Sequence, residues 1–341
     1  MPNTPHVIEG GYLRDILAQP RALEDTLAGL EITPALRAAA ARRFDRVVLT
    51  GMGGSFWALE PLRLRLLRNG VTALSVETSE LLHVTPGILD ERTLLVAVSQ
   101  SGRSAETVRL LDVKRRECFT IGVTNTPGSP LALHSDAVVL THAGEEFTVS
   151  CKTYVATLMA LEWLGGILAP EDRADLPQAA PLAAAYLNRW REHVAEAAVE
   201  LEGVRDLFIL GRGASLAAAG TGGLITKESA HFHSEGMSAA AFRHGPFEML
   251  GPSVYALVFA GDAATAKLNA GLVRDIVEAG GRAALVSEDA ERAVFRLPRA
   301  SAALRPILEI LPVEMFTLAL AALAGREAGK FERATKVTTT E

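Results

Sequence analysis

Arg46-Val-Val-Leu-Thr-Gly-Met-Gly-Gly-Ser55 returns 160 residues later as Asp206-Leu-Phe-Ile-Leu-Gly-Arg-Gly-Ala-Ser215. Each is a short apolar run, then Gly-x-Gly-x-Ser, then an alanine- or leucine-rich segment at helical spacing. That pattern reads as strand, tight turn, helix. The repeat extends outward at the same offset: Thr93-Leu-Leu-Val-Ala-Val98 runs into a Ser/Gly loop, and Ser253-Val-Tyr-Ala-Leu-Val258 runs into Phe-Ala-Gly-Asp. A third strand is predicted in each half, at 119–123 and 283–287, and long apolar helices at 154–168 and 308–324. Strands alternating with helices imply parallel sheets covered on both faces, so the expected fold is α/β with two tandem domains. The expected divisions are 1–170, N-terminal helices capping a first domain; 171–205, a connection with a helix at 182–199; 206–330, a second domain; and 331–341, a tail over the active site.

Composition narrows the class. The chain has 341 residues, enough for two cores, and 49% apolar with 22% charged residues excludes wholesale disorder. A net charge of −6 offers no general attraction to nucleic acid. Cys118 and Cys151 are too far apart for a close-spaced metal motif and read as two reduced thiols, so no metal site is expected. No signal peptide is legible at the start, and Met-Phe-Thr-Leu-Ala-Leu-Ala-Ala-Leu-Ala-Gly at 315–325 reads as a buried helix too short to cross a bilayer. The expectation is a soluble, cytoplasmic protein with no membrane or nucleic-acid partner. The glycine turns lack the third glycine of a dinucleotide fingerprint, where Phe56 and Leu216 stand, and no cofactor is expected.

The loop Ser99-Gln-Ser-Gly-Arg-Ser104 joins an apolar strand to a helix start at Ala105. Helix N-termini attract anions, and three serine hydroxyls add donors while Gly102 lets backbone approach closely. A plain helix cap explains such a loop equally well. The corresponding Ala260-Gly-Asp-Ala lacks the serines, which favours an anion site in the first half alone. In the second half Glu228 lies on a helix predicted at 216–232 beside Leu224, Ile225, His231 and Phe232, an apolar setting that makes a carboxylate a better proton acceptor. A surface Glu beside Lys227 is the ordinary alternative. His244 stands before Gly-Pro, which displays it on a turn, and Lys336 stands in a polar tail that alone reads as a frayed terminus.

Taken in order, Gly-x-Gly-Gly-Ser-Phe at 51–56, Ser-Gln-Ser-Gly at 99–102, Ser-Cys-Lys-Thr at 150–153, Lys-Glu-Ser at 227–229, His-Gly-Pro at 244–246 and the terminal Lys-Val-Thr resemble the sugar isomerase (SIS) family. Within it they look like the isomerase half of glucosamine-6-phosphate synthases. The resemblance implies phosphate binding by Ser99, Gln100, Ser101 and Ser104, with Gly54, Ser55, Thr148 and Ser150 near the sugar. It implies Glu228 as the base between C1 and C2, and His244 as a ring-opening residue reaching a neighbouring subunit of a homodimer. It implies Lys336 as a Schiff-base lysine. Two positions depart from the synthase pattern, Gly54 for a threonine and Ile225 for a lysine. The glutaminase half is absent from the sequence, so glutamine is not expected as nitrogen donor. The expected activity is isomerisation and deamination of an amino-sugar 6-phosphate such as glucosamine 6-phosphate. Deglycation of a fructosamine 6-phosphate is the enzymatic alternative, and a non-catalytic sugar-phosphate sensor the alternative of another class.

Overall fold

Two strands, β3 (Thr93–Val98) and β8 (Val254–Phe259), are apolar at almost every position and buried along their whole lengths, which only a sheet covered on both faces allows. They anchor the architecture of a computed structural model that describes residues 6–170, 175–333 and 335–338. The first sheet joins β1 (Arg46–Gly51), β2 (Ala73–Glu77), β3, β4 (Phe119–Thr124) and β5 (Ala137–Leu140) in the order β2-β1-β3-β4-β5. The second joins β6 (Asp206–Gly211), β7 (Ser234–Ser238), β8 and β9 (Arg282–Val286) in the order β7-β6-β8-β9. Every pairing between these strands is parallel, and helices flank both sheets, so the fold is α/β as the alternation predicts. The strand order reverses between β1 and β3 in the first sheet and between β6 and β8 in the second. Open α/β sheets form their crevices outside the carboxyl ends of the strands at this point.

The chain divides into two compact units. One comprises Arg21–Glu146, Lys152–Pro177 and Thr335–Glu341, and holds the first sheet; the other comprises Met1–Pro20, Phe147–Cys151 and Gln178–Ala334, and holds the second. Val48, Leu81, Leu95, Leu110 and Leu131 belong to the core of the first-sheet unit. Phe208, Leu210, Phe242, Val258, Leu272 and Ile276 belong to that of the second-sheet unit. This division differs from the one expected at both ends. Helix Gly11–Leu17 does not cap the first sheet but groups with the second, because Tyr12 and Ile16 are fully buried there and the Tyr12 hydroxyl meets Thr317 Oγ1 at 3.3 Å. The tail from Thr335 returns to the first-sheet unit.

Several elements differ in extent from the sequence pattern. The connecting helix is two helices, Ala179–Leu187 and Trp190–Leu201, broken at Asn188 and Arg189. The helix that carries Glu228 is Leu216–Ala230 and stops at His231, whose φ of 52° places it in the left-handed region. The last long helix is Arg305–Leu323, 19 residues, so by length and composition it is sufficient to cross a membrane. It is nevertheless a core helix, with every residue from Pro306 to Ala321 buried. Cys118 and Cys151 are both free and buried, and burial pushes the Cys118 thiol up to about 11.

Candidate active site

In the first-sheet unit, the turn after β1 and the loop after β3 lie at one edge, since β1 and β3 pair with Thr50 opposite Ala97. Gly54 and Ser55 open the short helix Gly54–Trp57 after the first turn, and both are half-buried. The loop Ser99–Ser104 is held from below by its own carbonyls. Gln100 O accepts from Asn125 N at 3.0 Å and from Thr124 Oγ1 at 3.2 Å, and Gly102 O accepts from Leu131 N at 3.1 Å. Gly102 has a φ of +62°, and a Cβ there would come within 2.2 Å of Ser129 Oγ, so this turn requires glycine.

The Ser99 and Ser104 hydroxyls point to each other rather than to the helix backbone, while Ser101 Oγ accepts the N–H of Arg103 at 3.2 Å. Ser104 Oγ lies 3.4 Å from Ser99 Oγ and 2.7 Å from Thr107 Oγ1, and it caps no backbone N–H of the helix Ala105–Val113. The capping explanation of Ser104 therefore fails. The N–H groups of Ser101 and Ser104 meet no acceptor among the described residues, and both residues are half-buried. Unpaired N–H groups at a helix N-terminus, with hydroxyls beside them, are chemically suited to an oxyanion.

The tail reaches this same helix start. Thr338 O accepts the N–H of Ala105 at 3.2 Å, and Lys336 Nζ lies 3.1 Å from Glu146 Oε2. Glu146 precedes the helix Lys152–Leu168, and its side chain is fully buried. Its Oε1 accepts Thr153 N at 2.9 Å and its Oε2 accepts Thr153 Oγ1 at 2.6 Å. Sequence reasoning missed Glu146: in Gly-Glu-Glu-Phe-Thr it looks like an ordinary acidic loop residue, and no periodicity marks it out.

In the second-sheet unit, Glu228 is half-buried near the end of its helix. That helix packs against β7 through small residues: a Cβ on Gly236 would lie 1.9 Å from Ala219 O. Glu228 lines a cavity of about 420 Å³ with Lys227, His231, Phe232, His233, Phe331, Glu332 and Arg333. His233 Nδ1 contacts Asp206 Oδ1 at 2.8 Å, and Asp206 begins β6, so the cavity sits by the amino ends of the strands. The shorter helix takes His231 and Phe232 off its face, yet both remain beside Glu228 as cavity lining. Thr148 donates to Gly329 O, and Gly329 N donates to Ser229 O at 2.9 Å, so Thr148 is tied to the end of the Glu228 helix. Ser150 is half-buried two residues on.

His244 follows the short helix Ala239–Phe242 and is exposed; Gly245, with φ 134°, turns the chain into Pro246–Met249. It does not line the Glu228 cavity. The structure thus brings Gly54, Ser55, Ser99, Gln100, Ser101, Ser104 and Lys336 into one unit. Thr148, Ser150, Glu228 and His244 fall in the other. Among the described residues no group of His, Cys, Asp and Glu has the arrangement of a metal site.

Two parallel sheets flanked by helices, each with a strand-order reversal, define the α/β class of this fold. Within that class, residues 42–165 match the SIS domain family. The chain is 31% identical over 355 residues to the glutamine–fructose-6-phosphate aminotransferase [isomerizing] of Pyrococcus horikoshii, an alignment that covers 98% of this chain and 59% of that protein. The chain thus spans less than two thirds of the relatives it matches. The C-terminal domain of glucosamine-fructose-6-phosphate aminotransferase from Francisella tularensis superposes with a TM-score of 0.83 at 20% identity, covering 94% of this chain and 98% of that one. Glucosamine-6-phosphate deaminase from Thermotoga maritima superposes with a TM-score of 0.77 at 17% identity, covering 93% and 96%. The chain carries a SIS domain and is homologous to the isomerase half of the aminotransferase.

Proposed function

We propose that the protein is a phosphosugar isomerase that converts an amino-sugar 6-phosphate to a ketose phosphate with release of ammonia. The observation that carries this reading is the joining of an oxyanion-type loop to a lysine-bearing tail: Ala105, at the start of the loop's helix, donates to Thr338, two residues from Lys336. In this reading one unit joins the phosphate loop to a primary amine suited to carbonyl chemistry.

In this reading the phosphate sits on Ser99, Gln100, Ser101 and Ser104. His244 assists ring opening, and in a homodimer it serves the partner's substrate. Glu228 takes the C2 proton of the open-chain aminoaldose and returns it to C1, leaving an imine at C2. Lys336 adds to that carbon and expels ammonia, and water then hydrolyses the lysine imine to give the ketose and the free amine. The net change is the addition of one water and the loss of one ammonia. Gly54, Ser55, Thr148 and Ser150 line the sugar. The half-buried setting of Glu228 suits a positioned general base, whose loss typically costs about 10²–10⁴-fold in rate.

Glu228→Gln keeps the side-chain shape, so glucosamine 6-phosphate should still bind while ammonia release falls by about 10²–10⁴-fold. In heavy water the wild type should place deuterium at C1 of the product. Turnover by Glu228→Gln at the wild-type rate would reject the mechanism. Tight binding of several sugar phosphates with no turnover would leave a sensor instead. Deglycation of a ketosamine 6-phosphate, which calls on the same base and lysine, is the second reading. Release of an amino acid from a fructosamine 6-phosphate, faster than ammonia from glucosamine 6-phosphate, would select it. Mixing Glu228→Gln with His244→Ala chains tests the shared-site homodimer, because only a site built from two copies regains activity on mixing.

A further inference from the structure

The geometry points to Glu146 as the residue that positions Lys336 and receives its proton, a role that rests on the Schiff-base reading of Lys336. Its carboxylate has two separable tasks. Oε1 accepts the backbone N–H of Thr153 in the first turn of the helix Lys152–Leu168, an ordinary way to satisfy a helix N-terminus. Helix capping accounts for that oxygen and calls for no charge. Oε2 takes the Thr153 hydroxyl at 2.6 Å and the Lys336 ammonium at 3.1 Å.

The placement of that second contact is informative. A fully buried carboxylate is costly unless it is paired, and the cation that meets it comes from 190 residues away on a polar tail. The Lys336 side chain is 25% exposed while that of Glu146 is 0% exposed, so the amine is reachable from solvent and its anchor is not. A second tie, Ala105 N to Thr338 O, fixes the tail two residues beyond Lys336. The two ties keep Lys336 in the unit that carries Ser101 and Ser104. A mere frayed terminus has no use for a buried counter-charge.

An ammonium cannot attack a carbonyl until it loses one proton. Oε2 of Glu146 is already in contact and takes it. The neutral amine then adds to the C2 carbonyl carbon of an open-chain ketose phosphate, the carbinolamine loses water, and a neutral imine forms. Hydrolysis consumes one water and frees the amine, and Glu146 returns the proton to it. Atoms and charge balance over the cycle.

Glu146→Gln tests the role because the amide oxygen can still cap the helix while the charge is gone. Fructose 6-phosphate is the probe, with borohydride reducing any imine and mass spectrometry locating it. The wild type should form a reduced adduct at Lys336. Glu146→Gln should bind fructose 6-phosphate within about two-fold of wild type but lose at least ten-fold of the adduct, and Glu146→Asp should recover part of it. In sugar-free protein, acetylation of Lys336 by acetic anhydride should be several-fold faster in Glu146→Gln, because the amine is released from its buried partner. Equal adduct in wild type and Glu146→Gln, or an unchanged acetylation rate, overturns the proposal. Equal losses of binding and adduct also overturn it, since they mark a purely structural role. An adduct missing from the wild type itself instead rejects the Schiff-base reading, and this role falls with it. If Glu146→Gln does not fold, Thr153→Val removes the hydroxyl that orients Oε2 and should lower adduct yield about three-fold with binding intact, whereas unchanged yield counts against the proposal.

Discussion

The loops after β3 and β8 occupy equivalent places in the two sheets, yet their electrostatics are opposite. After β3, the N–H groups of Ser101 and Ser104 meet no acceptor among the described residues, and the acidic residue of the first helical turn, Glu106, is buried. After β8, Asp262 supplies the anion itself: its Oδ1 accepts Ala264 N, Thr265 N and Thr265 Oγ1, each at 3.1 Å. Beneath it Ser215 Oγ donates to the buried Glu309 at 2.8 Å. The second loop satisfies its helix start from within, whereas in the first the Ala105 N–H goes to Thr338 O and those of Ser101 and Ser104 meet no acceptor among the described residues. Shared topology places a crevice in both sheets, and side chains decide whether it is filled. Glu228 lies at the other end of its sheet, in a cavity it shares with His233, whose ring contacts Asp206.

The sharpest way to break this contrast is to give the first loop the second loop's charge. Ser101→Asp should fill the loop with its own carboxylate and repel phosphate. Affinity for fructose 6-phosphate should fall about 100-fold or more, measured by calorimetry, while a neutral sugar should show no such change. A fall of less than three-fold would mean that the phosphate binds elsewhere.

A smaller effect concerns Glu309. Burial pushes its carboxyl up to about 8, the charge of Asp262 adds to this, and the Ser215 hydrogen bond and Arg305 oppose it. Below the unfolded-state value near 4.5 both states are protonated, and the group is neutral to stability. Between 4.5 and about 8 the unfolded chain releases a proton that the fold retains, so stability drops as pH rises through that window. Above about 8 both states are ionised and the loss levels off. Relative to Glu309→Gln, the wild-type Tm should therefore decline by roughly 3 °C or more from pH 5 to pH 8. A difference that stays constant with pH would show that Glu309 is charged in the fold.

The smallest change expected is in Asp262→Ala. It removes an exposed acceptor for two backbone N–H groups at a helix start, which typically costs about 1 kcal/mol in a denaturant titration. Turnover should be unaffected. A turnover defect with stability intact would place the second loop in the reaction and erase the contrast.

Much of the fold was legible in the chain because its buried strands are continuous apolar runs. Thr93–Val98 is the predicted strand itself, and the strand predicted at 253–258 is displaced by one residue. β2, β5 and β7 escaped notice: Ser-Glu-Gly-Met-Ser at 234–238 is an edge strand only partly covered with no apolar signature, and Ala-Val-Val-Leu at 137–140 is an edge strand of four residues. The break at Asn188 was equally silent, since no glycine or proline marks it.

For the site, residue order alone determined the serine loop and its absence from the second half, because a loop between strand and helix is a local feature. Local pattern also placed Glu228 on a helix and His244 on a turn. Only tertiary structure decided that Ser104 caps nothing and that the tail returns to Ala105. It also paired Lys336 with Glu146, a buried carboxylate that nothing nearby in the chain announces. Those facts depend on contacts between residues up to 233 positions apart, Ala105 and Thr338. Local propensity carries no information about such pairings, and burial creates the need for them by denying each polar group its water.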